Sequence, residues 1–306
     1  MCGSSPALAL SPVEEARALE PPKATAVTNA EFEHEEFWEA NGNLLKSAWS
    51  EYSSHIVNGS ILASPNDCVH PLLQKSVAAA RASPTPQAEK KVRSLWTEVA
   101  PGVFSTDAFL NRNATASFRH ALTQISSSGI PTRRPNGMNR FGVILDPEVS
   151  GAVPILDDFV THLVDTYVRP LGRLFFPAYI GPEDDLEMFA FTIQYRKGQD
   201  VKLNEHRDAS VVTLNLNLNL DDNISGSSLY FVDEEDKSIR HTVDFRPGMA
   251  LIHKGSIRHA ALPILDGERQ NLVVWLFGKD GDVRVSSYPK KSQLGPRGRW
   301  NPGGEL

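Results

Sequence analysis

The chain has 306 residues, 41% of them apolar, a net charge of -6 and a pI near 5.9. That is enough apolar material for a large buried core, and the wrong charge for a general nucleic-acid binder. Only two cysteines, Cys2 and Cys68, are present, which excludes a disulfide scaffold and fits a reducing compartment. No apolar run reaches membrane-spanning length, and Met1 to Pro6 lacks the basic start of a secretory leader. The expectation is an intracellular protein, cytoplasmic or nuclear, with no membrane partner.

In chain order, residues 1–30 are rich in Ala, Pro, Ser and Glu and read as a disordered tail. Glu31 to Tyr52 is expected to be helical, with Gly42 as a point of weakness and Phe37, Leu44, Leu45 and Trp49 on one face. His70 to Arg81 reads as a helix with proline in its first turn, and Ser83-Pro84-Thr85-Pro86 as a linker. Residues 31–87 are thus a helical lead-in and linker, and a larger domain spans 88–279. Its first half should hold a helix from Lys90 to Val99, a short strand at Val103 to Ser105 and a helix from Ala114 to Ser127. An apolar run of strand length follows from Phe141 to Leu145. Ile155, Phe159, Leu163, Tyr167, Leu171 and Leu174 recur near the helical period, in a helix that Pro170 should kink or divide. These helices are expected to pack on the outside of a sheet and to contribute stability only.

From Phe189 the period changes. Phe189 to Tyr195 is strand-like and ends at the turn Lys197-Gly198-Gln199. Val211 to Leu220 alternates, with leucines on one face and Thr213, Asn215, Asn217 and Asn219 on the other. Three asparagines on one strand face run against β propensity, so that face is either wet or binds something polar. Leu229 to Val232, His241 to Asp244, Met249 to His253 and Asn271 to Phe277 complete a set of short strands. This spacing predicts an α+β fold with a jelly-roll core at about 186–279. The tail 280–306, rich in Pro, Gly and Arg, reads as disordered.

Between the first two of these strands lies His206-Arg207-Asp208. Residues two apart on a strand point the same way, so His206 and Asp208 can approach one metal ion together. A later histidine completes the set if the chain returns to the same mouth, and His253 and His259 compete for that place. Two imidazoles and a carboxylate take one face of an octahedral metal and leave three positions open. With no cysteine nearby, the set suits iron better than thiolate-bound zinc.

The string His206-Arg207-Asp208-Ala209-Ser210-Val211-Val212-Thr213-Leu214-Asn215 resembles its counterpart in the procollagen lysyl hydroxylases. The runs Asn139 to Asp146 and Asn271 to Leu276 resemble the oxygenase domain-containing protein 2 group. Both belong to the prolyl/lysyl-hydroxylase-like branch of the 2-oxoglutarate- and Fe(II)-dependent dioxygenases. The likeness is dense over 186–278, thinner over 95–185, and absent from both ends. It implies a double-stranded β-helix core with the helices of the N-terminal half on its outer face. It implies His206, Asp208 and His259 as iron ligands, Arg269 as the clamp on the distal carboxylate of 2-oxoglutarate, and Tyr195 and Asn215 as further co-substrate contacts. A guanidinium fork suits that clamp because it pairs a carboxylate bidentately where an unpaired charge would be prohibitive. One departure is Gly226-Ser227-Ser228, where the family pattern has two glycines.

The implied reaction couples oxidative decarboxylation of 2-oxoglutarate to hydroxylation of a second substrate, read as a protein side chain, with O2 as co-substrate and ascorbate as reductant. No group beyond the metal ligands is assigned a catalytic role. Competing readings are a nucleic-acid or small-molecule oxygenase with the same chemistry, or a jelly-roll binding module without turnover. The acidic balance weighs against nucleic acid. The walls of the substrate site are expected from loops 130–140 and 221–228, whose sequence carries no code for a substrate.

Overall fold

The computed structural model describes residues 10–22, 34–53, 56, 61–180, 188–277 and 296–300. Its centre is a pair of antiparallel sheets built from short strands. The larger sheet has the order β1 (Thr97–Ala100), β2 (Val103–Thr106), β9 (Ala250–Lys254), β5 (Val212–Asn217), β12 (Glu268–Leu276) and β3 (Met188–Arg196). The smaller has the order β4 (Leu203–His206), β10 (His259–Ala261), β7 (Leu229–Val232) and β8 (Arg240–Val243). A two-stranded ribbon pairs β6 (Ser225–Gly226) with β11 (Ile264–Asp266). Followed along the chain, β3, β4, β5, β7, β8, β9, β10 and β12 pass from the larger sheet to the smaller and back, with antiparallel pairing throughout. That winding is a double-stranded β-helix, the expected core.

The alternation on β5 shows why the larger sheet forms. Val212, Leu214 and Leu216 are fully buried in the core shared with the helices, as are Ile252 on β9 and Leu272 and Val274 on β12. The opposite face of β3, β9 and β12 sends Phe191, Ile193, Tyr195, Leu251, Val273 and Trp275 into a second core between the two sheets. A period of two therefore feeds two separate cores, and a one-residue slip of any central strand would exchange them.

The helices cover the outer face of the larger sheet, as expected. Glu35–Ser53 runs unbroken through Gly42, whose Cβ position is 3.6 Å from the nearest side-chain atom. Pro71–Ala82 and Arg112–Ser127 match their sequence readings closely. The long helix around Pro170 is continuous, but turns π-helical at Val164–Val168 before Arg169–Phe175. The wider turn absorbs the hydrogen bond that the proline nitrogen cannot make.

Four readings are corrected. The linker Ser83 to Pro86 instead opens a helix, Pro86–Arg93, in which Thr85 caps the N-terminus and Pro86 takes the first turn. The segment read as the rest of that helix is strand β1, which hairpins with β2. Within 1–30, Pro12–Arg17 is helical: Ser11 and Glu14 form a capping box, Val13 and Ala16 are buried, and Arg17 Nε donates to Ser128 O at 2.7 Å. Within 280–306, Pro296–Trp300 is a docked helical turn with Trp300 buried. Arg299 donates to both carboxylate oxygens of Glu89 at 2.8 and 2.6 Å. Composition averages over a segment and cannot register a single cap or a single anchoring tryptophan. The other residues of both tails lie largely outside the described ones. Among the described residues no helix is long and apolar enough to cross a membrane.

Candidate active site

His206 ends β4 and His259 begins β10, and the two are direct cross-strand partners. Their rings stand 4.3 Å apart, centroid to centroid. Asp208 follows two residues after His206, held by its backbone N–H donating to Gly255 O at 3.0 Å. That contact requires glycine, since a Cβ at 255 would lie 2.1 Å from Ser210 O. One ligand atom from each of His206, Asp208 and His259 lies within 4.8 Å of the others. The same carboxylate oxygen, Asp208 Oδ1, faces His206 Nε2 at 3.4 Å and His259 Nε2 at 3.7 Å.

Backbone carbonyls orient both rings. His206 Nδ1 lies 2.8 Å from Asn204 O, and His259 Nδ1 lies 3.0 Å from Ile257 O. A proton held there leaves each Nε2 lone pair aimed at the common point. The other carboxylate oxygen, Asp208 Oδ2, accepts from Thr213 Oγ1 at 2.6 Å, and Ser210 Oγ stands 2.8 Å from that hydroxyl.

At Asp208 and His259 the electrostatics favour ligation. Burial alone would raise the Asp208 carboxyl, but His259, the hydrogen bond from His206 and the nearby His253 hold it well below the usual carboxylate range. Burial pushes His259 down to about 4, keeping its imidazole neutral. Burial works against the charged form of His206 too, but the hydrogen bond and charge of Asp208 outweigh it and raise that pKa. An ionised carboxylate and two imidazoles form a donor set that fits a divalent cation such as Fe(II) or Mn(II).

His253, the competing histidine, is fully buried on β9 beside Asp208 Oδ2, 3.9 Å away, and stands outside the three-residue cluster. Its Nδ1 lies 2.9 Å from Lys254 O.

Behind the cluster a cavity runs between the sheets. It is lined by all the sequence-derived residues: His206, Asp208, His259, Tyr195, Asn215 and Arg269. Arg269 is buried on β12, directly across from Tyr195 on β3, with its guanidinium 4.8 Å over the tyrosine ring. Burial lowers its pKa to about 10, with Tyr195 opposing that fall, so it remains a cation. Its Nη1 donates to Ser227 O, but its Nε has no partner, and among the described residues no carboxylate pairs with it. A buried guanidinium without a carboxylate fits a carboxylate-bearing ligand.

Sequence reasoning passed over three residues here. Asn271, two after Arg269 on β12, lines the same cavity, and its Nδ2 donates to Asn215 Oδ1 at 3.0 Å while its own Oδ1 is unpartnered. The period-two rule, applied to Arg269, would have found it. Thr213 stands on the polar face of β5 that had already been singled out. Asn139, whose Nδ2 donates to the Tyr195 hydroxyl at 3.1 Å, carries no such signal. Asn136, Met138 and Asn139 bring the loop 130–140 to the cavity, whereas none of residues 221–228 lines it.

The asparagine face of β5 is neither wet nor uniform. Asn217 and Asn219 are buried and bonded to backbone: Asn217 Nδ2 to Phe245 O at 2.7 Å, Asn219 Nδ2 to Glu268 O at 2.6 Å. The departure at Gly226-Ser227 also has a shape. Ser227 holds φ +67° beside Gly226 at +77°, a left-handed pair in which the second residue carries a Cβ.

Residues 65–181 match the OGFOD2-like domain, a stretch that includes the cavity-lining Asn136, Met138 and Asn139 and ends before His206, Asp208 and His259. The chain is similar to 2-oxoglutarate and iron-dependent oxygenase domain-containing protein 2 of Xenopus tropicalis, 32% identical over 172 residues, 55% of this chain and 46% of that one. It is also similar to the Homo sapiens protein of the same name, 34% identical over 187 residues, 57% of this chain and 49% of that one. The chain thus spans about half the length of the curated relatives it matches. A prolyl-4-hydroxylase from Pseudomonas putida aligns with 59% of this chain and 94% of its own, at 17% identity and a TM-score of 0.42.

Proposed function

We propose that this chain, which carries an OGFOD2-like domain and resembles the 2-oxoglutarate- and iron-dependent oxygenases, is an Fe(II)- and 2-oxoglutarate-dependent dioxygenase. The observation that carries the reading is one cavity lined by two complementary groups. Its walls include His206, Asp208 and His259 together with the buried, carboxylate-free guanidinium of Arg269. A ligand that chelates a metal at one end and presents a carboxylate at the other satisfies both, and 2-oxoglutarate has that form.

His206, Asp208 and His259 would hold the iron, and Thr213 engages Asp208 Oδ2 while Oδ1 faces the two histidines. Arg269 takes the distal carboxylate, with Tyr195 and Asn215 as further contacts. The aromatic walls Phe191 and Trp275 exclude bulk water from the inner cavity. Iron, when bound, supplies O2 activation, so that one oxygen atom enters succinate as CO2 leaves and the other enters the second substrate. Ascorbate serves as the reductant of the resting metal. That second substrate is a protein side chain; the support is the resemblance of the segment from His206 to Asn215 to the procollagen lysyl hydroxylases.

The test is calorimetric titration with Mn(II), then with 2-oxoglutarate, followed by succinate release from the Fe(II) form over peptides, nucleosides and free amino acids. The wild type binds one Mn(II) and then 2-oxoglutarate; His259→Ala loses the metal and His253→Asn keeps it. Metal binding that survives at 259 and fails at 253 refutes the ligand assignment. No metal-dependent binding of 2-oxoglutarate by the wild type refutes the function.

A further inference from the structure

We propose that Asn139 is a positioning residue that directs the hydroxyl proton of Tyr195 into the cavity. The inference rests on the reading of that cavity as the 2-oxoglutarate site.

The segment Asn139-Arg140-Phe141-Gly142 is docked along the free edge of β3. Gln194 N donates to Phe141 O at 3.0 Å, Thr192 N to Val143 O at 2.8 Å, and Leu145 N to Ala190 O at 2.8 Å. Gly142 makes the approach possible: at φ +139° its Cβ would lie 1.9 Å from Thr192 O. Asp200, in the turn that follows β3, fastens the segment from the other side. Its buried carboxylate accepts from Arg140 N at 2.6 Å, Arg140 Nε at 2.9 Å and Phe141 N at 3.3 Å. Asn136 Oδ1 takes the backbone N–H of Asn139 at 2.8 Å. The backbone of Asn139 is therefore fixed where its side chain, 2% exposed, meets Tyr195, itself 1% exposed.

The polarity of the contact decides its consequence. A phenol oxygen has one proton and lone pairs to accept with. Asn139 meets it with the amide Nδ2, which donates and cannot accept. The tyrosine proton must point elsewhere, and among the described residues no acceptor takes it. Tyr195 and Asn139 both line the cavity, beside the charge of Arg269. A carboxylate held there by Arg269 is the acceptor that the arrangement suits. Asn139 thus sets the direction of a hydrogen bond that it does not itself make.

Asn139→Asp tests this with almost no change of shape, because it replaces the donor with an acceptor that competes for the tyrosine proton. Affinity of the Mn(II)-loaded protein for 2-oxoglutarate should fall about tenfold, the scale of one hydrogen bond to a charged group. Mn(II) affinity should be unchanged. Tyr195→Phe should show a similar loss, and the double variant Asn139→Asp/Tyr195→Phe should bind no worse than Tyr195→Phe alone. A double variant that loses both factors shows the new carboxylate repelling the ligand directly, and overturns the proposal. So does an Asn139→Asp protein that binds like wild type while Tyr195→Phe is impaired. If Asn139→Asp does not fold, Asn139→Leu takes its place, with a loss of roughly threefold that vanishes when Tyr195→Phe is already present. Wild-type affinity in that protein also overturns it. A wild type that binds no 2-oxoglutarate refutes the functional reading instead, so the two failures are distinguishable.

Discussion

Replacing Arg269 by methionine should separate ligand binding from stability in opposite directions. The guanidinium is 1% exposed, donates to Ser227 O and interacts with the Tyr195 side chain, with no carboxylate partner among the described residues. Burying an ion costs several kcal/mol even after local relaxation, and a side chain of similar length without the charge removes that cost. Against it stands the lost hydrogen bond to Ser227 O, worth roughly 1 kcal/mol. The variant should therefore melt no lower than the wild type. Its affinity for 2-oxoglutarate, however, loses a charge-assisted pair worth roughly 1.5–3 kcal/mol, which is about a ten- to 150-fold rise in Kd. Titration of 2-oxoglutarate into the Mn(II)-loaded proteins, with scanning calorimetry of both, measures the two effects. A Kd within twofold of wild type would refute the clamp. Loss of Mn(II) binding in a variant with unchanged melting would show that Arg269 serves the metal rather than the acid.

Thr213→Val should weaken Mn(II) binding about ten- to 100-fold by freeing Asp208 Oδ2, while 2-oxoglutarate affinity at saturating metal stays put. Undiminished metal affinity would remove Thr213 from any role in the site. Ser227→Gly should stabilise the protein: relief of the left-handed strain is worth about 1–2 kcal/mol, against about 0.5–1 kcal/mol of extra unfolded-state entropy. A lower melting temperature would mean that the buried serine hydroxyl holds a partner. Cys68 is buried, and burial with the nearby Asp67 charge pushes its thiol up to about 11, so a disulfide-exchange reagent at roughly pH 8 should leave it unmodified until the protein unfolds. Rapid modification of Cys68 in the folded protein, read by peptide mapping, would contradict that burial.

How far the sequence revealed this arrangement depends on the length of each signal. The ten-residue alternation around β5 and the long helices were legible because each repeats its period several times within one element. The His-x-Asp pair was legible because both residues lie at or just beyond one strand end. Choosing between His253 and His259 was not a matter of period at all. Strand β10 is only His259–Ala261, and its pairing with β4 includes a register irregularity between its ends. What separates the two histidines is the crossing at Gly255, a close backbone approach with no periodic trace. Family resemblance supplied the choice that residue spacing left open. The strand β1 was missed for a related reason. Four residues from Thr97 to Ala100 are too few to show a period of their own, and their pairing with β2 defines the strand.

The polar face of β5 marks the boundary of what such patterns can assign. Alternation told that Thr213, Asn215, Asn217 and Asn219 share a face, without saying what each of them binds. Their neighbours divide them. Thr213 meets the outer oxygen of Asp208, and Asn215 meets Asn271 in the cavity wall. Asn217 holds the chain at Phe245. Asn219 binds Glu268 O through Nδ2 and Gln270 N through Oδ1, at 2.6 and 3.1 Å, and so grips the backbone on both sides of Arg269. A buried amide replaces two backbone partners at once, which explains why asparagine is tolerated where β propensity disfavours it. The backbone that carries Arg269 is therefore held in part by a side chain that lies outside the cavity. Polar residues can be conspicuous on a strand for what they do to the neighbouring strand, and only their partners distinguish that role from ligand binding.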